Sequence, residues 1–522
     1  MVMGTCSSAG KSLIVTALCR CLARRGLRVA PFKSQNMSNN AAVCASGGEI
    51  GRSQALQAIA AGVDAETDMN PVLLKPEGDT RSQVVVNGEA TPALEARQYF
   101  AQRRRLWPLI TAALDRLQTK FEMVVIEGAG SPAELNLADV EMVNLAIARH
   151  CQAPTILVGD IERGGVFAQL LGTLWLIPEQ DRQLFCGMLV NKFRGDRSLF
   201  DTGIDILQER SDVPVLGVLP WIKDLHLPEE DSVSLNPSTS NANGIAACDA
   251  GEVLATQGQL DCVVVQLPHI ANFDDFDPLN EEPGVRLRYV QSASDIGNPD
   301  VLILPGTKNT IRDLHWLGEV GLADRIKELA SLGTQLVGIC GGYQMLGRAI
   351  ENPKRFESDE VYCEGLGLLD TVTCYQPTKL TRQVRFSIRD DMIAPGTLGQ
   401  GVSGYEIHIG TTASKSAWLT ARSNPAREHS ETVQQDLDGA HARDGRIWGC
   451  YVHGLFANDN FRQAFLVKQG LDRNVLLARS SQSRLQESLD RLADEFEKSV
   501  DVSGLLETVM QRSRMEGASR AC

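Results

Sequence analysis

Short apolar runs alternate with longer amphipathic stretches along the first half of the chain. The apolar runs lie near residues 28, 123, 155, 187 and 214, and several end in an acid or an amide close to glycine. Strand-length runs separated by helix-length segments predict a doubly wound, mostly parallel sheet with ligands at the carboxyl ends of its strands. The pattern therefore predicts an α/β domain over residues 1–230.

A second series of apolar runs follows a polar, turn-rich stretch. Residues 231–259 contain a run rich in serine and asparagine and predict a linker between domains. Strand-like segments then begin at Leu260, Val301 and Gln335, which predicts a second doubly wound domain over residues 260–470.

The end of the chain has a different pattern. The stretch from Gln482 to Glu497 is charged and amphipathic, which predicts a helix that docks on another part of the protein or lies on its surface. Residues 471–522 are therefore expected to form a helical extension without chemistry of its own.

Composition narrows the class of protein. The 522 residues carry a formal net charge of −14, which argues against a nucleic-acid partner because phosphate backbones need a basic face. No apolar run reaches the length of a membrane-spanning helix, and the first residues lack a secretory signal pattern. The 13 cysteines show no paired metal spacing, and their odd number is typical of reduced thiols. These features predict a soluble cytoplasmic protein.

The stretch Gln335–Gly347 is the most informative in the chain. An apolar run ends at Cys340, and Gly341 and Gly342 follow before an amphipathic segment begins. The two glycines permit a sharp strand-to-helix turn, and the start of a helix favours the reactive thiolate. A buried structural cysteine is the alternative, and the flanking glycines favour a nucleophile.

A base for this thiol follows a later strand-like run. His453 comes directly after residues 447–452, and a histidine that is close in space need not be close in sequence. The pair resembles the class I glutamine amidotransferases, which hydrolyse glutamine through a thioester and release ammonia. The resemblance implies an oxyanion hole from backbone N–H groups at Gly306 and Gly341. The family's usual glutamate, two residues after the histidine, is Leu455 here, as in the corrinoid subfamily, so the group that orients His453 is left open.

The N-terminus contains a phosphate-binding loop. Gly4 and Thr5 open the loop, and Gly10, Lys11 and Ser12 close it at the start of a helix. Backbone N–H groups cradle phosphate oxygens, Lys11 reaches the terminal phosphates and Ser12 ligates magnesium. Thr5 stands where the common pattern has its first glycine. This form resembles dethiobiotin synthetase and its relatives, which activate carboxylates with ATP.

The position of the loop has a consequence for the first strand. Only residues 1–3 precede it, whereas strands usually run about five or six residues. The native start is therefore expected a few residues upstream.

Polar residues follow three of the predicted strands. Glu127 ends the run that begins at Phe121, and an acid at the end of a strand beside a phosphate loop holds magnesium, directly or through water. Asp160 ends another run and either holds metal, orients substrate or is a solvated loop acid. Asn191 follows a third run and resembles nucleobase-contacting residues of this superfamily.

A second group of candidates lies in the polar stretch after the second predicted strand. Lys33 is expected to contact phosphate or a substrate carboxylate, and Gln35 and Asn36 are candidate substrate-binding amides, with a plain surface loop as the alternative. Glu49 either serves magnesium, contacts substrate or caps the next helix.

The two halves together predict an amide-forming synthetase. With the stretches 33–38, 159–165, 272–279 and 404–408, the chain resembles the cobyric acid synthase family over nearly its whole length. The resemblance implies ATP, Mg²⁺ and L-glutamine as reactants. It implies adenosylcobyrinic acid a,c-diamide as the acceptor, amidated at its b, d, e and g carboxylates.

The stretch 404–408 contains three further candidates. Tyr405, Glu406 and His408 are expected to face the acceptor or a protected route for ammonia between the domains, because ammonia must arrive before water. For His408 a structural role is an equal alternative.

Three other functions stay open. Cobyrinic acid a,c-diamide synthase shares both domains but amidates only the a and c positions. The stretch 35–38 and the greater length favour the four-site enzymes by resemblance. An ATP-driven positioning switch of the partition-protein type has a further lysine early in the loop, and none lies between Gly4 and Ala9. A scaffold with an inactive glutaminase is the third.

Overall fold

The computed structural model describes residues 1–78, 81–91, 94–95, 98–99, 103–223, 225–228, 259–421 and 436–520. Apart from residue 259, the predicted linker lies outside these ranges. Within them, no helix combines the length and the apolar character needed to cross a membrane.

Residues 1–228, here called the N-terminal unit, contain thirteen described strands and seven described α-helices. The strands are β1 Val2–Gly4, β2 Val29–Phe32, β3 Gln35–Met37, β4 Ala41–Val43, β5 Glu49–Gly51, β6 Val72–Pro76, β7 Arg81–Val86, β8 Glu89–Ala90, β9 Leu94–Glu95, β10 Met123–Ile126, β11 Thr155–Asp160, β12 Phe185–Phe193 and β13 Val215–Pro220. The helices are α1 Lys11–Arg24, α2 Arg52–Ala61, α3 Trp107–Lys120, α4 Leu145–Cys151, α5 Val166–Leu176, α6 Glu179–Arg182 and α7 Asp201–Ser211.

A parallel sheet forms the centre of the N-terminal unit. Its strands run in the order β2–β10–β1–β11–β12–β13, with β1 joined to the end of β10 by a parallel bridge between Val2 and Glu127. The apolar runs predicted as strands supply β2 and β10 to β13, which confirms the doubly wound α/β class. β11 is buried along its whole length because helices cover both faces of such a sheet.

Residues 259–476, here called the C-terminal unit, contain fourteen described strands and six described α-helices. The strands are β14 Leu260–Val265, β15 Val285–Val290, β16 Val301–Leu304, β17 Gln335–Ile339, β18 Ala349–Glu351, β19 Tyr362–Glu364, β20 Val372–Cys374, β21 Leu380–Ile388, β22 Gly401–His408, β23 Thr411–Ala413, β24 Leu419–Ala421, β25 Leu437–Asp438, β26 Ala440–Ala442 and β27 Ile447–Cys450. The helices are α8 Asp277–Asn280, α9 Ala293–Ile296, α10 Thr310–Glu319, α11 Leu322–Leu332, α12 Gly341–Leu346 and α13 Asp459–Lys468.

The main sheet of the C-terminal unit runs in the order β15–β14–β16–β17–β27–β26. All neighbouring pairs are parallel except β26–β27. The carboxyl ends of β14, β16, β17 and β27 therefore meet at one edge, where ligands of such sheets bind. Two smaller sheets, β19–β18–β20–β23 and β22–β21–β24–β25, are mostly antiparallel, and the sequence patterns did not predict them.

The last two helices, α14 Ser481–Ser499 and α15 Val502–Arg520, follow the C-terminal unit in sequence. The apolar face of α14 is buried at Leu489, Leu492 and Phe496, in the same hydrophobic cluster as Val15 of α1. An ion pair between Arg20 and Asp490 (2.8 Å) lies beside this contact. The predicted amphipathic helix thus packs on the core of the N-terminal unit.

The two units also meet through backbone and side-chain hydrogen bonds. Asn272, which follows β14, receives a hydrogen bond from the N–H of Ala41 on its side-chain oxygen (2.9 Å). Its own N–H donates to the side-chain oxygen of Asn40 (2.7 Å). This reciprocal pair fixes the loop after β14 against the N-terminal unit.

Candidate active sites

Cys340 lies at the sharp corner between β17 and α12. Its φ of 52° and ψ of −109° place a non-glycine residue in a sparsely populated region, which costs about 1–3 kcal/mol. A nucleophile on a strained strand-to-helix turn presents its reactive atom at the edge of the sheet. The Cys340 thiol also contacts the carbonyl of Ile407 on β22 (3.5 Å).

His453 follows β27 and is held by a carboxylate that sequence reasoning did not assign. Its Nδ1 lies 2.7 Å from Oδ2 of Asp275, and the N–H of Gly454 donates to Oδ1 of the same aspartate (2.7 Å). Since Nδ1–H donates to Asp275, Nε2 is the nitrogen left to serve Cys340, which lines the same cavity as His453. Asp275 is therefore the side chain that holds the His453 ring in its orientation.

The charge state of His453 follows from these neighbours. Burial alone would lower the pKa of its imidazole, but the Asp275 carboxylate and Cys340 outweigh burial and raise the pKa to about 10. A protonated imidazole beside a thiol favours the thiolate, which is the nucleophilic form. The three side chains form an acid–base–nucleophile arrangement.

The loops predicted to form the oxyanion hole lie beside this triad. A Cβ atom on Gly306 would come within 2.9 Å of Cε1 of His453 and 3.7 Å of Cβ of Cys340, so only glycine fits there. A Cβ on Gly341 would lie 3.2 Å from the backbone nitrogen of Thr307. Both backbones thus border the thiol, and their role as oxyanion donors stays a prediction.

A cavity beside the thiol extends to the boundary between the units. Its lining includes Cys340, His453, His408, and two lysines, Lys75 from β6 and Lys379 from the C-terminal unit. Ammonia released at Cys340 would enter a space bordered by both units.

Glu49 bridges the two units at this cavity. Its carboxylate contacts the ammonium groups of Lys75 (2.5 Å) and Lys379 (2.8 Å). Burial would raise the pKa of Glu49, but the two lysines lower it to about 2. No side chain caps α2, whose N-cap is Gly51, so Glu49 does not serve as its cap.

Tyr405 contacts an imidazole ring, and Glu406 contacts a guanidinium group. The Tyr405 ring stacks on the imidazole of His453, with centroids 5.2 Å apart and planes 19° from parallel. Glu406 is buried and accepts a hydrogen bond from Nε of Arg382 (2.6 Å). Tyr405 thus packs against the His453 ring, whereas Glu406 pairs with an arginine.

His408 is one of the residues that line the cavity. Its Nδ1 donates to the carbonyl of Gly410 (3.0 Å), and its ring stacks on Tyr451 with centroids 3.7 Å apart. Burial lowers the pKa of His408 to about 3, so the ring is neutral and Nε2 is an acceptor. Among the described residues, Nε2 is buried and has no hydrogen-bond partner.

The phosphate loop folds around the side chain of Lys11. Its ammonium donates to the carbonyls of Cys6 (2.8 Å) and Gly130 (3.1 Å). Gly10 has a φ of 93°, and a Cβ there would strike the side chain of Asn191 at 2.2 Å. Asn191 donates from Nδ2 to the carbonyl of Ala9 (2.9 Å), so it contacts the loop itself.

Thr5 is held by the strand next to the loop. Its N–H donates to the carbonyl of Val158 on β11 (2.9 Å), and its hydroxyl donates to Oε1 of Gln169 (3.1 Å). Gly4 ends β1, so the loop begins at the carboxyl end of a central strand. This is the edge at which parallel sheets bind nucleotides.

Ser12 and Glu127 meet beside the loop. The Ser12 hydroxyl donates to Oε1 of Glu127 (2.8 Å), and Gln57 of α2 donates from Nε2 to Oε2 (2.6 Å). Lys33 lies 2.9 Å from Oε1. Burial would raise the pKa of Glu127, but Lys33 and the hydrogen bonds lower it, so Glu127 is a carboxylate. A hydroxyl and an ionised carboxylate are hard oxygen donors and fit Mg²⁺. No sequence pattern had singled out Gln57.

Asp160 has different partners. Its Oδ2 lies 2.9 Å from Nζ of Lys192, and its Oδ1 accepts a hydrogen bond from the N–H of Glu162 (2.9 Å). These contacts organise the turn after β11, and Asp160 is buried, so it is not a solvated loop acid. Its roles in metal binding or in orienting substrate stay predictions.

The two amides after β2 contact residues of their own unit. Gln35 accepts a hydrogen bond from the hydroxyl of Tyr99 (2.5 Å), and Asn36 donates to Gln54 of α2 (3.0 Å). Asn36 is buried and Gln35 is half-buried.

Family models match both halves of the chain. Residues 1–235 match the "CobQ/CobB/MinD/ParA nucleotide binding domain" and residues 261–461 the "CobB/CobQ-like glutamine amidotransferase domain". Three curated relatives, each called cobyric acid synthase, align over most of both chains. The Roseiflexus castenholzii protein is 48% identical over 90% of this chain and 91% of its own length. The figures for the Chloroflexus aurantiacus protein are 47%, 90% and 91%, and for the Herpetosiphon aurantiacus protein 45%, 98% and 99%.

Proposed function

Because the chain belongs to the cobyric acid synthase family, we propose that it amidates the b, d, e and g carboxylates of adenosylcobyrinic acid a,c-diamide with nitrogen from glutamine and energy from ATP. The observation that carries the proposal is the triad of Cys340, His453 and Asp275 in one unit, joined to a phosphate loop in the other. Membership of the family indicates which acceptor to test, and the arrangement of these residues supports the two half reactions described next.

The glutaminase half reaction begins at Cys340. Its thiolate attacks the side-chain amide of glutamine, and the developing oxyanion is placed beside the backbones of Gly306 and Gly341. His453 donates a proton to the leaving nitrogen, and ammonia departs as the thioester forms. Water activated by the same imidazole then releases glutamate. Asp275 keeps the imidazole in the required tautomer throughout.

The synthetase half reaction makes a carboxylate reactive. The acceptor carboxylate attacks the γ-phosphoryl group of ATP, which gives an acyl phosphate and ADP. Lys11 neutralises charge on the phosphates, and Ser12 and Glu127 would hold Mg²⁺, which supplies further positive charge when bound. Ammonia then attacks the acyl carbon, and inorganic phosphate leaves with the amide formed.

The remaining candidates are assigned by their positions. Lys33 and Asn191 are proposed to contact the nucleotide, because they border the phosphate loop and Glu127. Asp160 is proposed to orient that region rather than to bind metal. Gln35 and Asn36 are proposed acceptor contacts on the N-terminal unit.

The candidates that line the cavity or lie beside it are proposed to have a separate role. His408 is proposed to accept a hydrogen bond from ammonia or from glutamine at Nε2, and Glu49 to form part of the wall between the units. Tyr405 and Glu406 are proposed to support His453 and the strand that borders it.

The boundaries and location complete the proposal. We assign residues 1–230 to the synthetase domain, 231–259 to a linker, 260–470 to the glutaminase domain and 471–522 to a helical extension, supported by the two family matches. The eleven cysteines among the described residues are all unbridged, which supports a cytoplasmic location.

One incubation tests the function. The protein is mixed with ATP, Mg²⁺, glutamine and the a,c-diamide, and the mass of the corrinoid product is followed with time. We expect stepwise conversion to the product amidated at all of the remaining sites. A parallel incubation replaces the a,c-diamide by cobyrinic acid, and activity on cobyrinic acid alone would identify the a,c-diamide synthase instead. ATP hydrolysis without any amide product would favour a positioning switch or scaffold.

A further inference from the structure

Asp275 has a buried acidic neighbour, Asp274, in the same short 3₁₀ segment, Phe273–Phe276. Asp275 binds His453, whereas Oδ2 of Asp274 lies 2.8 Å from Nε of Arg52. Arg52 is the first residue of α2 and belongs to the N-terminal unit. The glutaminase triad is thus one residue away from an ion pair that crosses the boundary between the units.

The electrostatics make this ion pair consequential. Burial raises the pKa of Asp274; Arg52 opposes the rise without reversing it, and the neighbouring Asp275 adds to it. Two adjacent buried carboxylates repel each other. The Arg52 guanidinium, 2.8 Å from Oδ2 of Asp274, offsets part of the negative charge of this pair next to His453.

The same segment is attached to the N-terminal unit on its other side. Asn272, with a φ of 52°, exchanges hydrogen bonds with Asn40 and Ala41. Arg52 therefore acts on a segment whose start is already fixed, and its pull on Asp274 sets where the following residue points.

Helix α2 also reaches the nucleotide site. It begins at Arg52, and Gln57, five residues later, donates to Glu127. Five residues of α-helix span only about 7.5 Å along the axis. One short rigid element therefore contacts both the carboxylate beside the phosphate loop and the aspartate beside the triad.

We propose that Arg52 is a positioning residue for the glutaminase reaction, supplied by the synthetase unit, which holds Asp274 so that Asp275 keeps His453 aligned with Cys340. This inference rests on the proposed function in that glutamine is the nitrogen donor. Hydrolysis of glutamine at full rate then requires the N-terminal unit to be docked with α2 in place.

The test compares glutamate release with synthesis from ammonia. Arg52→Gln is expected to lower kcat for glutamate release by about 10²-fold, as a small misalignment of catalytic groups does, with a smaller change in KM. Synthesis with ammonium chloride should stay near the wild-type rate. Arg52→Lys should recover part of the loss because it restores the charge. Asp490→Asn, which removes another Arg–Asp pair between chain segments, serves as the matched control and should change neither rate.

A double variant separates charge from simple loss of packing. If Arg52 acts by neutralising Asp274, then Arg52→Gln combined with Asp274→Asn should release glutamate faster than Arg52→Gln alone. A double variant as slow as the single one would overturn the proposal. So would unchanged glutamate release in Arg52→Gln, or an equal fall in ammonia-dependent synthesis.

Failure of the proposed amidation can be distinguished from failure of the proposed role of Arg52. If the wild-type protein forms no amidated corrinoid with either nitrogen source, the proposed function fails. Glutamate release by the wild type and the variants, with thermal unfolding as the folding control, still decides the role of Arg52.

Discussion

The glutaminase centre and the phosphate loop hold their charged groups in different ways. In the glutaminase centre, Nδ1–H of His453 donates to Asp275, and His453 and Cys340 line the same cavity. In the phosphate loop, Lys11 donates to backbone carbonyls, and Ser12 donates to Glu127. The proposed function would leave the contacts of the first centre in place, whereas the groups of the second would exchange contacts with protein for contacts with ATP.

Because of this difference, we expect substitutions to change the rates of the two half reactions in different ways. A preorganised triad loses rate whenever a member is removed, since little else moves during the reaction. A loop that rearranges around its ligand uses part of the binding energy for that rearrangement. Variants that slow synthesis from one nitrogen source and leave synthesis from the other unchanged therefore distinguish the two centres most directly.

Replacing the nucleophile gives the largest expected effect. Cys340→Ala should lower glutamine hydrolysis and glutamine-dependent amidation by about 10⁴-fold or more, because no thioester can form. Synthesis with ammonium chloride should continue, since the phosphate loop is untouched. Both rates are measured on the same preparation by glutamate release and by product mass. Unchanged use of glutamine would remove Cys340 from the mechanism.

Replacing the aspartate gives the next effect and changes the pH profile. Asp275→Asn should lower kcat for glutamate release by about 10³–10⁴-fold, because the imidazole loses its orienting anion. Asp275 raises the pKa of His453, and the protonated imidazole is lost as the pH rises through about 10 in the wild type. Without the carboxylate, this pKa falls, so the alkaline limb of kcat/KM should move to lower pH. A limb that stays in place would show that Asp275 does not set the protonation of His453.

Replacing the loop lysine tests the other centre. Lys11→Ala should lower amidation by about 10²–10³-fold with glutamine and with ammonia alike, because both routes need the acyl phosphate. Glutamate release measured without ATP should remain at the wild-type level. If only the glutamine-dependent rate fell, Lys11 would belong to the glutaminase half reaction.

The packing of α14 gives the smallest effects and separates stability from catalysis. Leu489→Ala should destabilise the N-terminal unit by about 2–5 kcal/mol, because a fully buried side chain leaves a cavity against α1. Asp490→Asn removes only a partly exposed ion pair and should cost about 0–1 kcal/mol. Thermal unfolding with and without ATP measures both. Equal effects of the two variants would mean that α14 does not contribute through its apolar face.

The elements and site residues that could be predicted are those marked by local patterns in the sequence. Most strands of the two main sheets, the loop before Lys11, Cys340 at a strand end and His453 after another strand follow from apolar runs and adjacent glycines. The edge strands β15 and β26 of the second sheet were not predicted. The role of Asp275 was missed because it lies 178 residues before His453, and the stretch 272–279 that contains it indicated only the family resemblance. The usable signal was its position after β14, whose carboxyl end lies on the same edge of the sheet as Cys340.

Other parts of the candidate site depended on contacts that no local pattern encodes. Glu49 meets Lys379 across 330 residues, so its role at the boundary could not be read from the sequence around it. The antiparallel sheets were missed because their strands are short or alternate weakly between buried and exposed positions. Leu455 stands at the position where the class I amidotransferases usually have a glutamate, and its side chain is buried.

The path of α14 has a consequence for dividing the polypeptide. This helix lies near the end of the chain but completes the apolar core of the unit at the start of the chain, so the two units are not simply placed in succession. A protein cut within residues 229–258 into two polypeptides would leave the first fragment with an uncovered apolar face on α1. Co-expression of the two fragments, or transfer of residues 481–499 onto the first, would be needed to cover that face again.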